Sequence, residues 1–144
     1  NSVAALRLSG AERALAAHGV ALDYERDYEP CPFVEIAGYD ATRRLLERTP
    51  DLTAVFALGD VIAFGALRAI ADAGLSVPDG LSLVGFDDTS FSQFSVPRVT
   101  TIRQGSELMG RRAAQILLSG MSGGAAAHEV VPFELMERES VRSV

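Results

Sequence analysis

The chain has 144 residues, enough for one ordinary domain, and its 48% hydrophobic and 22% charged content is that of a soluble globular protein. No apolar run approaches the ~20 residues a membrane-spanning helix needs, and Arg7, Glu12 and Arg13 break up the first twenty residues, which therefore do not read as a signal peptide. The net charge is −6 and the 13 basic residues are scattered, so this chain by itself is not expected to neutralise the phosphates of a nucleic acid.

Ala4, Leu8, Ala11 and Leu15 recur at helical spacing over residues 3–18, and Gly19 ends the run. A short extended piece is expected near 23–28. Ala37, Ala41 and Leu45 mark a second helix over 37–48, with Pro50 just beyond it. TAVFAL (53–58) is a compact apolar run of the kind found in buried parallel strands. Residues 61–73 form a third helix closed by Gly74, and VPDG introduces a second buried strand, LSLVGF (81–86). VTTIR (99–103) reads as a strand, 105–118 as a helix, the Gly/Ala-rich 120–128 as a loop, and EVVPFEL (129–135) as a last strand. Strands alternating with helices of this length mean βαβ units, an α/β fold and a parallel sheet. Asn1 and Ser2 look like the cap of the first helix, which leads us to expect a strand upstream of the chain. Pro97 and the loop after 118 set residues 99–118 apart, as if the chain leaves one lobe there and later returns.

In open α/β sheets ligands bind beyond the carboxyl ends of the strands. That rule selects Asn1, Ser2, Phe33, Asp60, Asp87, Asp88 and Phe91. Apolar rings beside fixed carboxylates suit a sugar, whose C–H faces stack and whose hydroxyls donate. Each residue also has a plainer explanation. Asp60 directly precedes a helix and could simply cap it; Asp87 and Asp88 could open a turn; Phe33 could fill the core. Arg7, on an Ala/Leu-rich helix, could be a solvated or ion-paired residue.

Catalytic signatures are missing. There is no GxSxG elbow, no GxGxxG and no P-loop, so no enzyme is expected. His18 and His128 have no metal-ligand spacing around them, and no cofactor or metal is expected. Cys31, the single cysteine, has no base partner in sequence; it excludes an internal disulfide and suits a reducing, cytoplasmic setting.

The helix VIAFGALRAIADA (61–73) carries only Arg68 and Asp72 as charges, four apart on one narrow face. A helix apolar almost all round must bury more than one side. The sheet covers one, and a second copy of the chain is the expected cover for the other, through Ile62, Phe64, Leu67 and Phe91. Coverage by residues 89–96 of the same chain is the alternative.

AVFALGDVIAFGALRAIADAGLSVPDGLSLVGFDD (54–88), PRVTTIRQ (97–104) and GRRAAQILL (110–118) together resemble the LacI/GalR family of transcription regulators. The opening SVAALRLSGAERALAAHGV and the closing FELMERESV are similar to it as well. The resemblance implies a lobe of the type I periplasmic-binding-protein-like fold, a parallel sheet with helices on both faces. Residues 1–96 would belong to the C-terminal lobe of an effector-binding domain, 97–119 to a crossover strand and helix of the other lobe, and 120–144 to the return. It further implies a homodimeric repressor that binds a small effector, a sugar or nucleoside-like molecule, between its lobes. Operator DNA would be read by an N-terminal head absent from this chain. A sugar-binding component of a transport system is the alternative of the same fold. By motif position, Arg7, Phe33, Asp87 and Gln104 match the family's effector contacts, and Asp60 is kept with them as a candidate. Gly59 departs from the pattern, since the family usually places Asn or another polar side chain there.

Overall fold

A computed structural model describes residues 2–125 and 127–142. Asn1, one of the expected caps, lies outside the described residues. The chain runs α1 (Ser2–Ala17), α2 (Tyr24–Asp27), α3 (Glu35–Arg48), β1 (Ala54–Phe56), α4 (Asp60–Asp72), β2 (Ser82–Val84), α5 (Ser90–Phe94), β3 (Thr101–Arg103), α6 (Ser106–Met121) and β4 (Glu134–Met136). It is α/β, as the alternation of periods predicts.

β1 and β2 pair in parallel, with Val55 opposite Leu83. A parallel bridge from Val84 to Thr100 and the bond from Gly85 N–H to the Thr100 carbonyl, 2.8 Å, attach the chain leading into β3. β3 then pairs antiparallel with β4, Ile102 opposite Leu135. The expected parallel pairing thus holds for β1 and β2, and an antiparallel pair is added to it because the segment after α6 runs back along β3. The last strand lies at 134–136 rather than 129–135. Pro132, which has no N–H to donate, stands just ahead of it.

Two other expectations change. Residues 24–27 form a helical turn instead of an extended piece, because the Asp23 carboxylate accepts from the N–H groups of Glu25 and Arg26. The β1 run is not fully buried. Phe56 is 39% exposed and faces an open cavity of about 1030 Å³ between α1, the strand ends and α6.

The core is Ala57, Ile62, Ala63, Ala66, Leu83 and Val99, with Phe33 and Phe91 packed at its edge. α4 is covered on a second side by α3, and at two points the helices meet backbone to backbone. A Cβ on Gly38 would overlap the Ile62 carbonyl, and one on Gly65 would overlap the Glu35 carbonyl. This alters the expectation for the apolar helix. Ile62 is buried within its own chain and offers no surface to a partner. The ring of Phe91 packs on Phe64, centroids 4.3 Å apart, so 89–96 does cover part of this helix. Phe64 remains 49% exposed, and Phe94 and Val96 beyond it stand out in solvent. No residue of α6 is buried among those described.

Candidate functional site

The loop after β2, Gly85–Phe86–Asp87–Asp88, organises the site. Asp87 and Asp88 both have positive φ, 110° and 52°. Non-glycine residues adopt such values at a cost of about 1–3 kcal/mol, Asp among the more tolerant. The turn sends the two carboxylates to different partners. Its backbone is pinned by the Asp87 N–H donating to the Ile102 carbonyl, 2.9 Å.

The Asp87 side chain meets residues from two other parts of the chain. Arg7, one-third of the way along α1, donates from Nη2 to Asp87 Oδ1 over 2.7 Å and from Nη1 to the Leu58 carbonyl over 2.5 Å. Gln104, just past β3, donates from Nε2 to the same Oδ1 over 2.5 Å. The Arg7 guanidinium lies over Phe86, 3.8 Å from its centroid, and 6.0 Å from that of Phe33. The Arg7 side chain is 11% exposed, Asp87's 32%. One face of the carboxylate is thus tied down and the other open, next to aromatic rings. Such a group accepts hydroxyl donors, and charge-assisted bonds of this kind contribute about 1.5–3 kcal/mol each. Of the five expected contact residues, Arg7, Phe33, Asp87 and Gln104 come together here. Phe86 was not among the expected residues, although an aromatic ending a strand directly before two aspartates is a readable signal.

Asp60 does not join them. It is fully buried and accepts from the Thr89 N–H (2.7 Å), the Thr89 hydroxyl (3.0 Å) and the Thr101 hydroxyl (2.7 Å). No effector reaches a carboxylate so enclosed. Its first role is to join the start of α4 to the loop after β2 and to β3.

Asp88 forms a second buried node, its side chain 2% exposed. Arg103 donates to its Oδ2 over 2.6 Å, and Arg138, which also reaches the Val99 carbonyl, pairs with Oδ1. Burial pushes this carboxyl up, but the hydrogen bonds from Arg138 and Arg103 outweigh it and hold it below the ordinary carboxylate range. The segments that carry these arginines, on either side of α6, are thereby fastened beside the candidate ligand contact. Arg138 lies 50 residues from Asp88, and no local pattern announces it. Cys31, half-buried near Phe33, is pushed up by burial, against the pull of Arg44, and so is held as a thiol.

Four polar and aromatic side chains thus converge where an open α/β lobe places its ligands, at the carboxyl ends of the strands. A periplasmic binding protein-like domain model matches residues 1–141, and the chain belongs to that family, as an effector-binding domain of the LacI/GalR type. Among curated relatives, the HTH-type transcriptional regulator CelR of Thermobifida fusca is 37% identical over 136 residues, covering 93% of this chain and 40% of that protein. The HTH-type transcriptional repressor PurR of Histophilus somni is 33% identical over 145 residues, covering 99% of this chain and 43% of that protein. The chain thus spans about two-fifths of these relatives' length. Among solved structures, a CelR–cellobiose complex superposes with a TM-score of 0.89 at 36% identity, covering 92% of this chain and 41% of that one. A LacI family regulator from Enterococcus faecium with bound ribose gives 0.83 at 28% identity, over 96% of this chain and 51% of that one. No helix among the described residues is long and apolar enough to cross a membrane.

Proposed function

We propose that this chain is the sensing domain of a transcription regulator that takes a sugar into a cleft and changes its affinity for operator DNA in response. The observation that carries the proposal is the Asp87 carboxylate, held by Arg7 and Gln104 on one oxygen and open beside Phe33 and Phe86. That the relatives are transcriptional regulators favours this reading over a transport component. Residues 1–96 and 120–144 make up one lobe with the return to it, and 97–119 reach into the other; that α6 has no fully buried residue supports that division. A ligand that binds one arrangement of the lobes better than the other shifts their populations, which is all that coupling to a DNA-binding head requires. The regulator works as a homodimer, with Phe64, Leu67 and the exposed Phe94 and Val96 meeting their own copies across a two-fold axis.

The test is calorimetry on the protein as its gene encodes it, titrated with cellobiose and with ribose. Binding of either sugar, weakened at least tenfold by Asp87→Ala in a folded protein, is the expected result. Binding untouched by that substitution removes Asp87 from the site.

A further inference from the structure

Gly59 precedes α4 as its N-cap, and it is an odd choice there. Its φ is −175° and its ψ 150°, ordinary extended backbone that any residue adopts, so no left-handed conformation demands a glycine. Ser, Asn or Asp at an N-cap accepts from the first free N–H groups of the helix; α4 goes without any side-chain cap. The space around Gly59 supplies the reason for the glycine. A Cβ built there would stand 2.9 Å from Phe33 Cε1 and 3.0 Å from Cδ1, well inside contact, and 3.5 Å from Asp87 Oδ2. The Phe33 ring occupies the volume that a side chain at 59 would fill. That volume borders the carboxylate oxygen that neither Arg7 nor Gln104 holds.

We infer that Gly59 is a specificity-determining residue of the site, kept bare so that Phe33 lies on the turn from β1 to α4 beside Asp87 Oδ2. The inference rests on the reading of Asp87 as a ligand contact. The effector then meets a ring, where a capping side chain would have offered it a hydrogen bond. The chemistry selected is a carbohydrate ring that turns a C–H face to Phe33 while a hydroxyl on its edge donates to Oδ2.

The experiment uses the gene-encoded protein and calorimetry with cellobiose and with ribose, alongside thermal melts. Gly59→Ser, which supplies the missing cap and displaces the ring, is expected to weaken the bound sugar at least tenfold without lowering the melting temperature. Gly59→Ala, adding only the Cβ, is expected to weaken it as well. Phe33→Ala should cost at least tenfold, and Phe33→Ala with Gly59→Ser should bind no more weakly than Phe33→Ala alone, because the steric conflict is gone. The inference is overturned if Gly59→Ser keeps wild-type affinity while Asp87→Ala loses it; the site reading then stands without it. It is overturned also if the two substitutions add independently, or if both Gly59 variants fail to fold, since the glycine would then serve stability. If neither sugar binds, or if Asp87→Ala has no effect, the site reading itself fails and takes the inference with it.

Discussion

Arg7 and Asp87, 80 residues apart in the chain, are joined by a 2.7 Å ion pair that ties α1 to the loop after β2. The same guanidinium reaches the Leu58 carbonyl and lies on Phe86, so three contacts depend on its flat, forked shape. A lysine offers a point charge and cannot make all three. Arg7→Lys is therefore expected to weaken effector binding about tenfold or more, equivalent to about 1.4 kcal/mol, in a protein that still folds. Isothermal titration against the sugar that binds the wild type checks it; unchanged affinity would show that the fork is dispensable.

Asp60 should matter to stability more than to binding. Removing it strands the fully buried Thr101 hydroxyl, at about 1–3 kcal/mol, and also frees the Thr89 N–H and hydroxyl that hold the loop after β2 to α4. Asp60→Ala is expected to lower unfolding free energy by about 3 kcal/mol in urea titrations. Effector affinity of the protein that remains folded should change little. A large affinity loss at unaltered stability would return Asp60 to the binding site.

Acid should act through Asp88. Its carboxyl is held below its ordinary value in the folded protein, so its contribution to stability is fully present above the unfolded value near 4 and declines as pH falls through the folded value. Urea unfolding measured from pH 7 down to pH 3 should therefore show a wild-type loss on the acid side. Asp88→Asn should be less stable at pH 7 and flatter below pH 4. Parallel curves for the two proteins would assign the acid sensitivity to other carboxylates.

Two kinds of glycine should respond oppositely to alanine. Gly65→Ala puts a methyl into the Glu35 carbonyl across the α3–α4 contact, and overpacking of this sort costs about 1–3 kcal/mol or more, beyond what alanine's helix preference returns. Gly10, inside α1 with open space around its Cβ position, should gain about 0.5–1 kcal/mol as alanine. Melting temperatures of the two variants, moving in opposite directions, are the check.

For the proposed dimer, Leu67→Asp places a charge on the part-buried side of α4 next to Phe64. Burying an unpaired charge in an interface is costly, so the subunits should separate at micromolar concentration. Sedimentation velocity decides the matter: a folded variant that stays dimeric, or a wild-type monomer, ends the proposal.

Order of elements was legible in the sequence because periodicity is local. Apolar spacings at 3–18, 37–48 and 61–73 and the runs at 53–58 and 81–86 each record which face of one segment is hidden, and the corresponding helices and strands lie there. The grouping of Arg7, Phe33, Asp87 and Gln104 was legible for another reason, the rule that places ligands at strand ends together with a family resemblance. What covers α4 was not legible. An apolar circumference states that two sides are hidden but not by what; only the packed fold shows α3 closing on Gly38 and Gly65 and Phe91 resting on Phe64. Nor could the sequence separate the three aspartates. Asp60, Asp87 and Asp88 are the same side chain within 29 residues. Their fates differ because burial and the partners named above, 15 to 80 residues away in the chain, make one a hidden joint, one an open acceptor and one the anchor of two arginines. Which of those remote residues lie close in space is something a linear pattern does not contain.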